Sequence, residues 1–306
     1  SIQGRFLYAV SKLKGGGYMI IKPELLHKGD VIGIVSPSHV ASVEDYEEIM
    51  SRIEAMGFRV KAGKNLYKDT YGYIAAENER ADDFNEMVND PAVKMVFFGG
   101  GEGSIDLLPL IDYAAVRKQP KIYVSYSDGT SILNSIFNRT GLMTYYGQTP
   151  GLLKDLRHYD YMQFAAHFLD GNVTSFRRNS KWHILNPGVC RGRLTGGYLL
   201  NYALLVNSPF FNYGNAEKYI LFLEDYEQFN DIGTVSMLIS HIEQSDFADH
   251  ISGLLFGHYS ESIHPELMER LKRFGAKHDV PVVYCDDFGH GNNHAILPIG
   301  CDAALD

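Results

Sequence analysis

Short runs of β-branched and aromatic residues alternate along the chain with longer segments in which apolar residues recur at helical spacing. In the first half, this pattern predicts strands over residues 31–35, 93–98 and 121–124 and helices over residues 43–56, 78–88, 104–111 and about 128–138. Such alternation is typical of βαβ units, in which helices cover a sheet of mostly parallel strands. The sequence therefore predicts an α/β fold.

Changes in composition divide the chain into four parts. Residues 1–18 are polar and rich in glycine, so we expect a leader or cloning remnant outside the fold, with Met19 as the natural start. Residues 19–150 hold the first α/β unit, residues 151–187 are a connector, and residues 188–306 are a second α/β unit. The second half has predicted strands at 219–224, 253–256 and 280–285 and predicted helices at 161–169, 195–206, 232–243 and 265–274.

Composition narrows the classes of protein that fit. A chain of 306 residues with 45% hydrophobic content can bury a large core, and no run reaches the roughly 18 apolar residues of a membrane span. The net charge is −9, and the basic residues form no continuous stripe along the sequence, so neither nucleic acid nor a membrane is an expected partner. Cys190, Cys285 and Cys301 form no CxxC pair, which favours a reducing, cytoplasmic location over a disulfide framework or a zinc site.

Polar residues fall at the carboxyl ends of the predicted strands, which is where ligands bind in open parallel sheets. The candidates at these positions are Ser36, Ser38, the glycine run 99–103, Ser127, Glu224 and His290. Because parallel strands end at one edge of a sheet, this shared position predicts a site there.

Ser127 lies on a sharp strand-to-helix turn that is similar to a nucleophile elbow, although Ser125 stands where the usual pattern has glycine. The turn would expose the hydroxyl and let the amide of Asp128 donate to a developing oxyanion. The alternative, that Ser127 or Asp128 caps the helix, fits the local sequence about as well.

The glycine run 99–103 allows a ligand to approach the main chain closely and could supply a second oxyanion donor. It lacks the Gly-Lys-Ser/Thr ending of a P-loop, and Ser104 occupies the place of the third glycine of a dinucleotide fingerprint. A plain strand-to-helix turn capped by Ser104 is the competing interpretation.

Glu224 follows an apolar strand, where a carboxylate either orients a catalytic imidazole or forms a structural ion pair. His290 stands between glycines, and His294 follows four residues later, a spacing that on a helix could bind a metal. The glycine and two asparagines between them argue against such a helix, so a metal site is a poor interpretation. A serine, an acid and a histidine at strand ends can together perform nucleophilic acyl chemistry.

Several ordered blocks resemble the LD-carboxypeptidase and microcin C immunity peptidase family. They are residues 28–38, 99–104 with Leu107-Leu108-Pro109, 126–130, Gly196-Gly197, 223–225 and Gly289-His290 before 297–300. The resemblance covers the chain from about residue 28 to residue 300.

The resemblance implies a flavodoxin-like N-terminal domain and a smaller, swivelling C-terminal α/β domain. It implies a triad of Ser127, Glu224 and His290, with oxyanion amides from Asp128 and from the glycine run near Gly101. Members of the family cut a peptide-like bond next to a free carboxylate, as in a murein tetrapeptide, or the bond from an acyl group to a nucleotide-like toxin. No metal or organic cofactor is implied, and a homodimer is a further expectation.

Departures from the family pattern concern the substrate. Ser125 replaces a glycine, and Tyr198 replaces the common asparagine after Gly197. Trp182 could stack on a nucleobase or anchor the connector. The substrate-binding candidates are Gly100, Glu102, Ser125 and Trp182. An α/β-hydrolase esterase and a non-catalytic anion-binding protein are the alternative functions.

Overall fold

The computed structural model of the chain describes residues 5–9, 19–39, 41–214 and 217–306. The strands are β1 (Phe6–Ala9), β2 (Val31–Val35), β3 (Arg59–Ala62), β4 (Val93–Phe98), β5 (Ile122–Ser125), β6 (Thr144–Tyr146), β7 (His183–Asn186), β8 (Cys190–Tyr198), β9 (Tyr219–Glu224), β10 (Ile251–His258), β11 (Val282–Gly289), β12 (Leu297–Ile299) and β13 (Asp302–Leu305). The helices are α1 (Val43–Ala55), α2 (Glu77–Asn89), α3 (Tyr113–Lys118), α4 (Thr130–Thr140), α5 (His158–Ala165), α6 (Leu199–Leu205), α7 (Ile232–Glu243) and α8 (Pro265–His278).

The first sheet has the strand order β12-β6-β5-β4-β2-β3. All of its strands except β12 run parallel. Apart from β12, this is the order of a flavodoxin-like sheet, with the connection reversing direction between β2 and β4. Loops that leave the carboxyl ends of these two strands therefore diverge and leave a crevice.

The second sheet has the order β1-β13-β8-β9-β10-β11-β7. Strands β8 to β11 are parallel, and antiparallel strands flank them on both sides. The predicted α/β fold class, with a flavodoxin-like N-terminal sheet and a second α/β unit, is confirmed, and both sheets are mostly parallel.

Helix α4 lies between the two sheets. Every residue of the helix except Asn138 and Arg139 is buried, and its apolar side chains share a core with residues of β4 and β9. The side chain of Asn134 donates a 2.8 Å hydrogen bond to the carbonyl of Gly196, and its amide oxygen accepts one from Thr195. The helix that follows Ser127 is thus fixed to the second sheet.

The structure corrects three sequence expectations. Residues 1–18 are not wholly outside the fold, because Phe6–Ala9 pairs with β13, whereas residues 1–4 and 10–18 lie outside the described residues. The segment 104–111 is a single 3₁₀ turn, Ser104–Leu107, rather than a helix. Thr195 to Tyr198 end strand β8, so the predicted helix 195–206 begins only at Leu199.

Both sheets draw on distant parts of the chain. β12 lies in the second half of the sequence but pairs with β6 of the first sheet, and β7 lies within the predicted connector but forms an edge of the second sheet. The domain limits at 150 and 187 stay predictions. Throughout the described ranges, helices fall short of the length and apolarity that a bilayer crossing requires.

Candidate active site

Ser127 occupies a strained turn between β5 and α4. Its φ of 55° lies in the left-handed region, which costs a non-glycine residue on the order of 1 kcal/mol or more. The carbonyl of Ser127 accepts a hydrogen bond of 2.6 Å from the Thr130 hydroxyl, and its amide donates one of 3.0 Å to the Tyr146 hydroxyl. These bonds hold the main chain in a conformation that the residue alone would avoid.

Glu224 is the last residue of β9, and its side chain is fully buried. One carboxylate oxygen, Oε1, accepts a hydrogen bond from the Tyr146 hydroxyl at 2.5 Å. The other, Oε2, lies 2.7 Å from Nδ1 of His290. Both oxygens of this buried carboxylate therefore have partners, as a buried charge requires.

His290 follows directly after β11. The preceding Gly289 has a φ of 102°, and a Cβ there would lie 3.0 Å from Oε2 of Glu224, so only glycine lets the chain turn this close to the acid. The other ring nitrogen of His290, Nε2, lies 3.1 Å from Oγ of Ser127. Ser127, His290 and Glu224 thus form one hydrogen-bonded series that joins the two sheets.

The charge around His290 favours its protonated form. Burial lowers the pKa of the imidazole, but the charge and hydrogen bond of Glu224 and the charge of Asp225 outweigh burial and raise it above 6.5. Asp225 is itself buried, and desolvation raises its pKa to about 7. An imidazole stabilised as a cation in this way is suited to hold a proton taken from a neighbouring hydroxyl.

Aromatic rings surround His290, and sequence reasoning did not find them as a group. The ring of Tyr226 stacks parallel at 5.9 Å, and those of Tyr126, Tyr198 and Phe229 lie at 4.7, 5.3 and 5.1 Å. Phe229 is 60% exposed, so it forms an apolar wall at the mouth of the site. Tyr226 and Phe229 lie in one loop after β9, whereas Tyr126 directly precedes Ser127 and Tyr198 ends β8. No common spacing in the sequence links these three segments.

The glycine run passes beside the serine. A Cβ on Gly100 would lie 2.9 Å from Cβ and 3.4 Å from Oγ of Ser127, whereas a Cβ on Gly101 would meet Ser38 and His39. Gly100 is therefore the residue of the run whose α-carbon faces the hydroxyl. The amides of Gly100 and Gly101, in the two peptides that flank this α-carbon, are therefore the main-chain donors of the run nearest to Ser127.

Three other predicted residues have defined surroundings. Ser125 is fully buried, and its hydroxyl donates to the carbonyl of Phe98 at 2.8 Å, so its side chain supports the start of the glycine run. The carboxylate of Asp128 accepts from the amide of Ser104 at 2.8 Å. Glu102 is exposed. Burial is the main cause of the raised pKa of Tyr198, and the charge of Glu102 adds a smaller increase, so Glu102 lies near the site.

Trp182 is held by contacts on two sides. Its indole N–H donates a 2.8 Å hydrogen bond to Asp287 of β11, and the guanidinium of Arg178 lies 4.2 Å from the ring. These are the contacts of an anchor between connector and second sheet. A role in stacking on substrate stays a prediction.

His294 lies near the site but belongs to a different pair. Its Nδ1 is 3.1 Å from the buried carboxylate of Asp160, which also accepts from its main-chain amide. Across the part of the chain that the structure describes, no cluster of three or more His, Cys, Asp or Glu residues could hold a metal ion.

The fold and the site together define an α/β protein with a Ser–His–Glu hydrogen-bonded series, an arrangement that hydrolases use for nucleophilic catalysis. The LD-carboxypeptidase N-terminal domain model matches residues 32–147, and the LD-carboxypeptidase C-terminal domain model matches residues 191–305. The chain belongs to this family of carboxypeptidases, as its sequence motifs indicate.

Individual relatives are similar over almost the full chain. A probable murein peptide carboxypeptidase of Bacillus subtilis (strain 168) is 27% identical over 96% of this chain and 94% of its own. The microcin C7 self-immunity protein MccF of Escherichia coli is 27% identical over 91% of each chain. The crystal structure of an MccF-like protein from Bacillus anthracis str. Ames superposes with a TM-score of 0.82 at 23% identity, over 93% of this chain and 99% of that one, and shows the shared fold.

Proposed function

We propose that the protein is a serine carboxypeptidase in which Ser127 is the nucleophile, His290 the general base and Glu224 the residue that orients the imidazole. The observation that carries this proposal is the pair of contacts on His290, 3.1 Å to Oγ of Ser127 and 2.7 Å to Oε2 of Glu224. A serine hydroxyl is inert at its own pKa and needs such a base within hydrogen-bond reach.

The reaction follows from this geometry. Oγ of Ser127 attacks the carbonyl carbon while its proton passes to Nε2 of His290, and Glu224 stabilises the resulting imidazolium. The proton then moves to the leaving nitrogen as the bond to it breaks, which leaves an acyl-enzyme on Ser127. Water, deprotonated by His290, hydrolyses the ester and releases the acid and the free hydroxyl.

The negative charge on the carbonyl oxygen requires donors that are already in place. The amide of Asp128 follows the nucleophile at the start of the turn into α4, and the Gly100–Gly101 peptide lies on the other side of Ser127. We propose that the amides of Asp128 and Gly101 together form the oxyanion hole.

The substrate we propose is a peptide-like bond next to a terminal D-amino acid, as in a murein tetrapeptide. The resemblance to the murein peptide carboxypeptidase of Bacillus subtilis supports it. A cytoplasmic role in peptidoglycan recycling belongs to the same proposal, supported by three cysteines that are all buried in the structure. The homodimer stays a prediction.

A second candidate substrate is an aminoacyl-nucleotide of the microcin C type. The observation in its favour is the exposed ring of Phe229 beside His290, since an exposed aromatic ring can stack on a nucleobase. The similarity to the Escherichia coli immunity protein points the same way.

The decisive experiment compares wild type with Ser127→Ala. We expect a fluorophosphonate to label wild type stoichiometrically at Ser127 and the variant not at all, with turnover lost while the melting temperature is kept. Mass spectrometry after incubation with murein tetrapeptide or with an aminoacyl sulfamoyl adenosine identifies the substrate. Turnover by Ser127→Ala would refute the triad, efficient turnover of short activated esters alone would favour an esterase, and tight anion binding without labelling would favour a binding protein.

A further inference from the structure

His39 lies in the loop after β2 and packs against the glycine run, outside the hydrogen-bonded series described above. A Cβ on Gly99 would lie 3.0 Å from Cε1 of its ring, and a Cβ on Gly101 would lie 3.0 Å from its Cβ. The charge of Asp128 also acts on the imidazole, so His39 is close to both arms of the proposed oxyanion hole.

The two faces of the glycine run meet different residues. Positions 99 and 101 face His39, whereas position 100 faces Ser127. In extended backbone, successive residues point to opposite sides. The peptide between Gly100 and Gly101 is therefore enclosed between the imidazole and the nucleophile.

Other contacts fix the run on either side of this peptide. The hydroxyl of Ser125 donates to the carbonyls of Phe98 and Gly99, at 2.8 and 3.4 Å. The amide of Glu102 donates to the carbonyl of Ser38 at 2.9 Å. Glycine on both sides of a peptide allows it to rotate with little steric cost, so the Gly100–Gly101 peptide needs a contact of its own to keep one orientation.

The imidazole of His39, which packs against positions 99 and 101, is the side chain placed to supply that contact as a neutral donor. Burial lowers its pKa, and the interaction with the main chain of Gly100 opposes this by a smaller amount, so the ring is uncharged near neutral pH. Nδ1 is buried without a hydrogen-bond partner among the described residues. We assign the proton to Nε2, because a proton on Nδ1 would find no acceptor.

We propose that His39 is a positioning residue that holds the carbonyl of Gly100 on its own side of the loop and thereby turns the amide of Gly101 towards Ser127. In a trans peptide the C=O and N–H point in opposite directions, so fixing one fixes the other. The inference rests on the proposed function, since it needs an oxyanion at Ser127. It adds a residue outside the triad that determines whether the oxyanion hole is formed.

The test uses His39→Ala, His39→Gln and the surface control His241→Ala, which changes an exposed residue of α7. A fluorophosphonate is a suitable probe because its P=O oxygen occupies the oxyanion hole when Ser127 is labelled. We expect His39→Ala to lower the labelling rate and kcat by about 10- to 100-fold, with KM changed by less than about 3-fold, because a lost oxyanion donor affects the transition state. His39→Gln, whose amide N–H₂ can reach the same carbonyl, should recover most of both rates.

The outcomes separate this inference from the function on which it rests. If wild type is labelled at Ser127 and Ser127→Ala is inactive, but His39→Ala is labelled at the wild-type rate, His39 has no positioning role and the triad stands. A loss that His39→Gln does not recover would show that the ring only fills space, which also overturns the inference. If wild type is not labelled and Ser127→Ala retains turnover, the proposed function fails and takes the role of His39 with it.

Discussion

The hydroxyl of Tyr146 donates a hydrogen bond to Oε1 of the fully buried Glu224. The same hydroxyl accepts the amide proton of Ser127, so one side chain from the end of β6 connects the main chain of the proposed nucleophile with the acid at the end of β9. Burial, the charge of Glu224 and the hydrogen bond to it all raise the pKa of Tyr146, in that order of size, which keeps its proton on the phenol. The two sheets are thereby tied together at the site.

Tyr146→Phe should reduce both stability and turnover. Removal of the hydroxyl leaves Oε1 of Glu224 and the amide of Ser127 without a partner in the interior, at a cost of about 1–3 kcal/mol each. We expect a lower free energy of unfolding in urea and a fall in kcat of roughly 10- to 100-fold, by analogy with the loss of groups that orient a catalytic ligand.

Tyr123→Phe is the matched control for this change. Its hydroxyl is buried without a hydrogen-bond partner among the described residues, so its removal should leave kcat unchanged and stability equal or higher. Equal effects of the two substitutions on kcat would contradict the role given to Tyr146.

The pH dependence of kcat/KM should report His290. A general base must be neutral, and the pKa of His290 is raised above 6.5 because Glu224 outweighs burial, so activity should rise with pH through an apparent pKa above 6.5. In Glu224→Gln burial acts unopposed by that charge, and this limb should move to lower pH while kcat falls by roughly 10²- to 10⁴-fold. Initial rates from about pH 5 to 9 test both statements. An unmoved limb in Glu224→Gln would assign the titration to another group.

Gly100→Ala should inactivate the protein without unfolding it. The new methyl group would lie 2.9 Å from Cβ of Ser127, in the space where the substrate carbonyl must enter. We expect kcat/KM to fall at least about 100-fold, a loss comparable with that of one oxyanion donor. Gly233→Ala, at the exposed start of α7, is the control. Its new methyl group would lie 3.5 Å from the nearest atom, an Asp231 oxygen, so this variant should retain full activity. Wild-type kinetics in Gly100→Ala would place the reacting carbonyl elsewhere.

Trp182→Phe distinguishes the two roles considered for the indole. It removes the hydrogen bond to the buried Asp287 and keeps an aromatic ring, so an anchor role predicts a loss of about 1–3 kcal/mol in unfolding free energy. KM should then be equally affected for murein tetrapeptide and for aminoacyl sulfamoyl adenosine. A rise in KM for the nucleotide alone, with unchanged stability, would instead indicate stacking on the base.

Several features of the site were predictable because they depend on local order in the sequence. Strands β5 and β9 and the first half of β11 are mostly apolar, and a polar residue at or soon after the end of such a strand lies at the edge of the sheet where ligands bind. Ser127, Glu224 and His290 were found in this way and through the motifs of the family. Some predicted element boundaries were wrong because periodicity over a few residues does not separate a strand from a helix. Residues Thr195 to Tyr198, for example, were assigned to a helix but continue strand β8.

The partners of these residues were decided only by the tertiary structure. Tyr146, Phe229 and His39 are distant in the sequence from the residues that they contact, which are Glu224, His290 and the glycine run in that order. β12 likewise crosses from the second half of the sequence into the first sheet. The sequence by itself determined the family to which the protein belongs, because each family motif is a short run of neighbouring residues. Packing of α4 between the two sheets determined which atoms meet, because contacts between distant segments depend on burial of the whole core.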